Sequence, residues 1–185
     1  MSILHENSKI KHLVEKMAQS SPYAIVVCAV VVSCITRNKW AFYFLATYIL
    51  FAQILNHILK WFLKKLFQGN PVFERPSPPN TGCSLFDNCS ASMSPTFGMP
   101  SGHSQSITFT AVFLTLFIQR QSNLNDTLKI SYISVIWLLS LSVCYSRFAI
   151  GCHSQLQIAM GMLLGGMMGS ASYFVAEKWF KEDKE

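Results

Sequence analysis

Charge is missing from this sequence in long blocks, and those blocks constrain the fold more than any motif does. Twenty residues separate Lys16 from Arg37, and another twenty separate Lys39 from Lys60, all without formal charge. A third uncharged run lies between Asp87 and Arg120 and is apolar from Ile107 to Ile118. Seventeen residues separate Lys129 from Arg147, and the last run, Phe148 to Ala176, is apolar from Leu156 onward. About 20 residues of helix cross a bilayer core of about 30 Å. The blocks therefore predict five membrane helices, centred near Ile25–Ile35, Ala41–Leu59, Ile107–Ile118, Ile130–Tyr145 and Leu156–Ala176.

Composition removes the alternatives. Only 13% of the 185 residues are charged while 51% are apolar, against roughly 25% charged in an average soluble domain. The short connections cannot supply a polar exterior for a soluble bundle, and 14 Phe with 4 Trp exclude a disordered chain. The expected architecture is one all-α, polytopic transmembrane bundle over residues 1–185. Basic Lys9, Lys11 and Lys16 before the apolar Tyr23–Ile35 also fit a signal peptide. No small-x-small cleavage site follows, so a retained helix is expected. The net charge of +6 is scattered among the loops. It suits anionic headgroups, with no nucleic-acid partner. Gly161, Gly165 and Gly169 form small-xxx-small pairs that let helices approach closely. Internal packing is the expected use and a dimer face the alternative; the oligomeric state stays open.

The irregular stretch Gln68–Pro100 is the longest connection, and a loop of more than about 15 residues commonly has a functional role. It joins a set of residues that the helix count places on one membrane face. The set is Lys64-Lys65, Arg75-Pro76, Pro100-Ser101-Gly102-His103, and Ser146-Arg147 with His153 six residues beyond Arg147. Two crossings separate the tetrad from Arg147, so both lie on the same side. Two arginines and a lysine can cage a dianion through parallel hydrogen bonds. Ser101 and Gly102 open a helix whose free N–H groups and dipole favour an anion. Two histidines supply a nucleophile and an acid. With cations neutralising the developing charge, neither metal nor cofactor is expected. This is the chemistry of phosphate-ester hydrolysis.

The order Arg-Pro, Pro-Ser-Gly-His and Ser-Arg-x5-His resembles the type 2 phosphatidic acid phosphatase superfamily, from about Asn56 to Gly166. Gly98 to Gln105 and Ser154-Gln155-Leu156-Gln157 look most like the dolichyl-diphosphate phosphatase branch. The resemblance implies that His153 attacks phosphorus to form a phosphohistidine and that His103 protonates the leaving oxygen. Arg75, Ser101, Gly102 and Arg147 would hold the phosphoryl oxygens. Most members carry Asp four residues after the nucleophile, where this chain has Gln157. An amide can accept the imidazole N–H and fix the tautomer, without a full charge. The family lysine, seven residues before the arginine, falls on Gln68. Lys64 is the first candidate to replace it and Lys60 the second.

The resemblance implies an integral membrane enzyme hydrolysing a polyprenyl or dolichyl diphosphate, its partners being the lipid substrate and the bilayer. A broader lipid phosphate phosphatase and a catalytically silent scaffold are the alternatives. It also implies an active site facing the lumen of the endoplasmic reticulum, which eight cations on that face against seven opposite leave undecided. Cys28, Cys34 and Cys144 are expected to be buried. Cys83 and Cys89 share the loop and can pair in an oxidising lumen. Asn88 and Asn125 each begin a glycosylation triplet on opposite faces, with Asn88 favoured.

Overall fold

The computed structural model describes residues 2–76, 83 and 97–182, with side chains from 15 to 180 within those ranges. The chain order is α1 (Ser2–Thr36), α2 (Lys39–Thr47), a π-helical segment (Tyr48–Ile54), α3 (Leu55–Phe67), α4 (Gly102–Gln119), α5 (Asp126–Ala149) and α6 (Gln155–Glu182). Since α2, the π-helical segment and α3 are continuous, these make five rods, as the uncharged blocks require. Four of them, Glu15–Thr36, Lys39–Phe67, Asp126–Ala149 and Gln155–Phe180, are long and apolar enough to span a membrane unaided. The fifth, α4, carries more polar side chains and packs against α6, α5, the π-helical segment and α1.

Local chemistry sets the boundaries. Arg37 adopts φ 50, a left-handed conformation that ends α1. The Asn38 side chain then accepts the Trp40 N–H at 2.8 Å and starts α2. Ser101 caps α4 through the Ser104 N–H, and Asn125 caps α5 through Leu128 at 2.8 Å. The Asn125 side chain is thus engaged in a helix cap. Asn88 lies outside the described residues.

Small residues decide how α4 meets α6. A Cβ on Gly161, Gly165 or Gly169 would strike the backbone carbonyls of Ser101, Gln105 and Phe109 in turn. The glycine stripe therefore packs internally. Above it sits an apolar core of Tyr48, Ala52 and Phe109, flanked by Phe44. A π-helical turn displaces carbonyls from their usual intrahelical partners, and α4 supplies replacements. Gln105 Nε2 donates to Phe51 O at 2.8 Å, and Asn56 Nδ2 donates to Gln105 Oε1 at 2.7 Å. Gln53 Nε2 reaches both Tyr48 Oη and Ser106 Oγ. Water cannot satisfy such groups inside a bilayer, so these bonds must be internal.

At the far end Trp40 packs against Phe117, Tyr173 and Phe180, and Arg120 pairs with Glu177 at 3.0 Å. Aromatic rings beside charges mark a membrane interface. The residues singled out in the sequence as a phosphate site gather at the opposite end, around the N-terminus of α4.

Two cysteine expectations change. Cys83 bonds to Cys152, not to Cys89; it lies against the turn between α5 and α6, where its carbonyl also meets Arg147. Cys144 is buried as expected, but Cys28 and Cys34 are exposed on α1, since one face of a peripheral membrane helix meets lipid.

Candidate active site

Three connections meet at the buried end of α4. The first is the segment carrying Arg75. Glu74 forms an antiparallel bridge with Phe97, and the Gly98 N–H donates to Phe73 O at 2.8 Å. Phe73 stacks between Phe67 at 4.4 Å and Phe97 at 5.9 Å. The chain on either side of the long loop is therefore pinned to itself, which fixes where Arg75 emerges.

The second connection is the tetrad. The Ser101 N–H donates to Gln157 O at 3.0 Å, joining the start of α4 to the start of α6. Ser101 Oγ accepts hydrogen bonds from Ser104 N–H and Ser104 Oγ, leaving its own hydroxyl hydrogen for another acceptor. Gly102 begins the helix, where its N–H has no intrahelical partner. His103 Nε2 lies 3.1 Å from Gln19 O on α1. A carbonyl only accepts, so this ring nitrogen carries the proton.

The third is the α5–α6 turn. Gly151 at φ 78 turns the chain left-handedly, so that the N–H groups of Cys152 and His153 both reach Arg147 O, at 3.1 and 3.2 Å. That turn accounts for the Arg-x5-His spacing. Arg147 is completely buried. Its Nε donates to Ser146 Oγ, its Nη1 to Cys83 O at 3.3 Å, and its Nη2 has no hydrogen-bond partner among the described residues. A buried guanidinium nitrogen without an acceptor is costly and marks a place for an anion.

Gln157, also fully buried, links these parts. Its Oε1 accepts His153 Nδ1–H at 3.1 Å and Ser154 N–H at 3.3 Å. With Nδ1 donating, His153 Nε2 holds a free lone pair. Burial, reinforced by the positive charges of Lys60 and Arg75, pushes the His153 imidazole down from its ordinary 6.5 to about 3. The ring is therefore neutral at pH 7, the form a nucleophile needs.

The same electrostatic neighbours define the cluster. His103 lies within the field of Arg147, Lys60 and Arg75, and His153 within that of Lys60, Arg75 and His103. The structure thus gathers His103, His153, Arg75, Arg147, Ser101, Gly102 and Gln157. It does not gather Lys64, which is exposed near the end of α3, while Lys60 is half-buried and faces Arg75. Of the two candidate lysines, the structure places Lys60, the second choice, near both histidines. Its signal was available, because Asn56 and Lys60 are four residues apart and share the helix face turned to α4. Gln19, reaching His103 through a main-chain oxygen, left no sequence signal.

Residues 40–181 match the PAP2 superfamily. The chain belongs to that family. Among curated PAP2 relatives, the dolichyldiphosphatase of Saccharomyces cerevisiae is 30% identical over 131 residues, 70% of this chain and 51% of that protein. Dolichyldiphosphatase 1 of Dictyostelium discoideum is 36% identical over 87 residues, covering 46% and 38%. Lipid phosphate phosphatase gamma of Arabidopsis thaliana is 26% identical over 120 residues, covering 64% and 49%. The chain spans about half or less of the length of these relatives. A transmembrane PAP2 type phosphatidylglycerolphosphate phosphatase from Bacillus subtilis shares the fold, with a TM-score of 0.66 and 16% identity over 92% of this chain and 76% of that one.

Proposed function

We propose that this PAP2 protein is an integral membrane lipid phosphatase that hydrolyses a polyprenyl or dolichyl diphosphate through a phosphohistidine. The observation that carries the reading is the buried Arg147 guanidinium, whose Nη2 has no partner among the described residues, in the field of His103 and bonded through its carbonyl to His153 N–H. Arg147, Arg75 and Lys60 receive the phosphoryl oxygens, with the Ser101 hydroxyl and Gly102 N–H completing the cage. His153 Nε2 attacks the terminal phosphorus, forming the N–P bond as the P–O bond to the lipid monophosphate breaks. The bound anionic headgroup favours the imidazolium form of His103, which keeps Nε2–H on Gln19 O and gives its Nδ1 proton to that leaving oxygen. Water then attacks phosphorus, its proton returns to His103, and the N–P bond breaks to release inorganic phosphate. Three cationic side chains stabilise the spread of charge over the equatorial oxygens, and they repel a divalent metal ion from the same space.

The substrate class draws on two dolichyldiphosphatase relatives and on a site at the end of a membrane bundle, where a tail remains in lipid while the headgroup enters. Similarity to a lipid phosphate phosphatase supports a second, broader reading that includes phosphatidate. A lumenal site fits the Cys83–Cys152 disulfide on this face, because disulfides persist in oxidising compartments.

The test is phosphate release by the purified chain from a prenyl diphosphate and from phosphatidate. The wild type should favour the diphosphate and yield an acid-labile phosphoprotein when quenched. His153→Ala should lose more than ~10³ in rate. Absence of wild-type turnover, or persistence in His153→Ala, overturns the proposal and leaves a phosphate-binding scaffold.

A further inference from the structure

The amide of Gln157 is gripped on both ends, and its orientation is forced by its partners. Ser154 N–H can only donate, so it must face Oε1, which also takes His153 Nδ1–H. Val72 O and Glu74 O can only accept, and they lie 3.1 and 2.7 Å from Nε2. Glu74 immediately precedes Arg75. The main-chain carbonyl of Gln157 holds Ser101 N–H at 3.0 Å. A single buried residue therefore ties together the segments bearing Arg75, Ser101 and His153. Gly98 leaves room for it, since a Cβ there would overlap the amide group itself.

We infer that Gln157 is a positioning residue whose amide N–H2 sets the phosphate grip of Arg75 while its oxygen orients His153. The inference rests on the phosphatase reading for its catalytic meaning, but the phosphate grip can be read without turnover. It also explains why an amide occupies this place. A carboxylate can accept from His153 but cannot donate to two carbonyls. Ionised, it would set an acceptor against Val72 O and Glu74 O and push the Arg75 segment away. If the position served only to orient the imidazole, a carboxylate would do as well or better.

Gln157→Glu separates these cases because it preserves shape and the oxygen facing His153. The titratable residues bonded to this position are His153 on the adjoining turn and, through its carbonyl, Glu74 on the bridged segment; Arg75, Lys60 on α3 and His103 on α4 lie in the field of that same His153. Protonated, the carboxyl still donates one hydrogen bond toward Glu74 O; ionised, it donates none. At pH 8 the variant should bind inorganic phosphate about ten- to a hundred-fold more weakly than wild type. Thermal shift against phosphate concentration reads this directly, and KM should rise by more than kcat falls. Lowering the pH toward 5 should narrow the gap. Gly98→Ala, whose added methyl displaces the Gln157 amide, should weaken phosphate binding without any such pH dependence. If Gln157→Glu at pH 8 binds phosphate within twofold of wild type, the inference is wrong. Should that variant fail to fold, wild-type affinity in Gly98→Ala overturns it equally. A wild-type chain that binds phosphate but releases none from a prenyl diphosphate or from phosphatidate sinks the phosphatase reading and leaves this comparison intact.

Discussion

Lys60 and Lys64 lie one helical turn apart on α3, yet only Lys60 lies within the field of His153 and His103. The difference is depth. Lys60 follows Asn56, whose side chain is bonded to Gln105 on α4, while Lys64 sits where the rod leaves its neighbours and is exposed. A lost charged hydrogen bond costs about 1.5–3 kcal/mol. Lys60→Ala should therefore lower kcat/KM by about ten- to a hundred-fold, and Lys64→Ala by less than about twofold. Steady-state kinetics on the two variants decides between them. His153 gives a second expectation at this scale. Its folded pKa of about 3 lies below the ordinary 6.5, so the unfolded chain binds the extra proton between those values. Stability from this group is complete above about 6.5 and declines as pH falls toward about 3. Thermal unfolding at pH 7 and pH 4.5 should show that decline, and His153→Gln should make it shallower.

Between α4 and α6 the contact is set by missing side chains. Gly165 lies against the carbonyl of Gln105 and Gly169 against that of Phe109, while a Cβ on Gly166 meets nothing within 4 Å. Gly165→Ala must force the helices apart, at a cost of about 1–3 kcal/mol by the usual penalty for overpacking. Gly166→Ala faces open space and gains helix propensity, by up to about 1 kcal/mol. The two melting temperatures should move in opposite directions. Because Ser101 O and Gln105 also border this seam, Gly165→Ala should weaken phosphate binding along with stability. The small-xxx-small spacing was legible in the sequence. Its use inside the bundle was the expected one, and the structure added which carbonyls of α4 each glycine meets.

At the scale of the whole molecule, the disulfide closes a path of 69 residues from Cys83 to Cys152. It holds the Cys83 carbonyl where Arg147 Nη1 can use it. Peptide mapping under non-reducing conditions should recover Cys83 joined to Cys152, with Cys28, Cys34 and Cys144 open to alkylation once the chain is unfolded. Reduction, or Cys83→Ser, should weaken phosphate binding by releasing one end of the arginine clamp. The pairing escaped sequence reading because proximity along the chain pointed to Cys89. The actual partner of Cys83, Cys152, lies 69 residues along the chain, and only the tertiary fold brings it to Cys83.

Five rods and the shared face of their motifs could be read directly from the sequence. A bilayer punishes every buried charge, so the spacing between charges records the crossings almost literally. The start of α4 at Ser101 and the small-xxx-small spacing of α6 were equally local, since each is a pattern within a few helical turns. What tertiary structure decided was which atoms meet across helices: Lys60 in preference to Lys64, Cys152 in preference to Cys89, the Gln19 carbonyl on His103, and both ends of the Gln157 amide. Those contacts depend on rotation and depth of rods relative to one another. Hydropathy is nearly blind to both, because lipid accepts any apolar face.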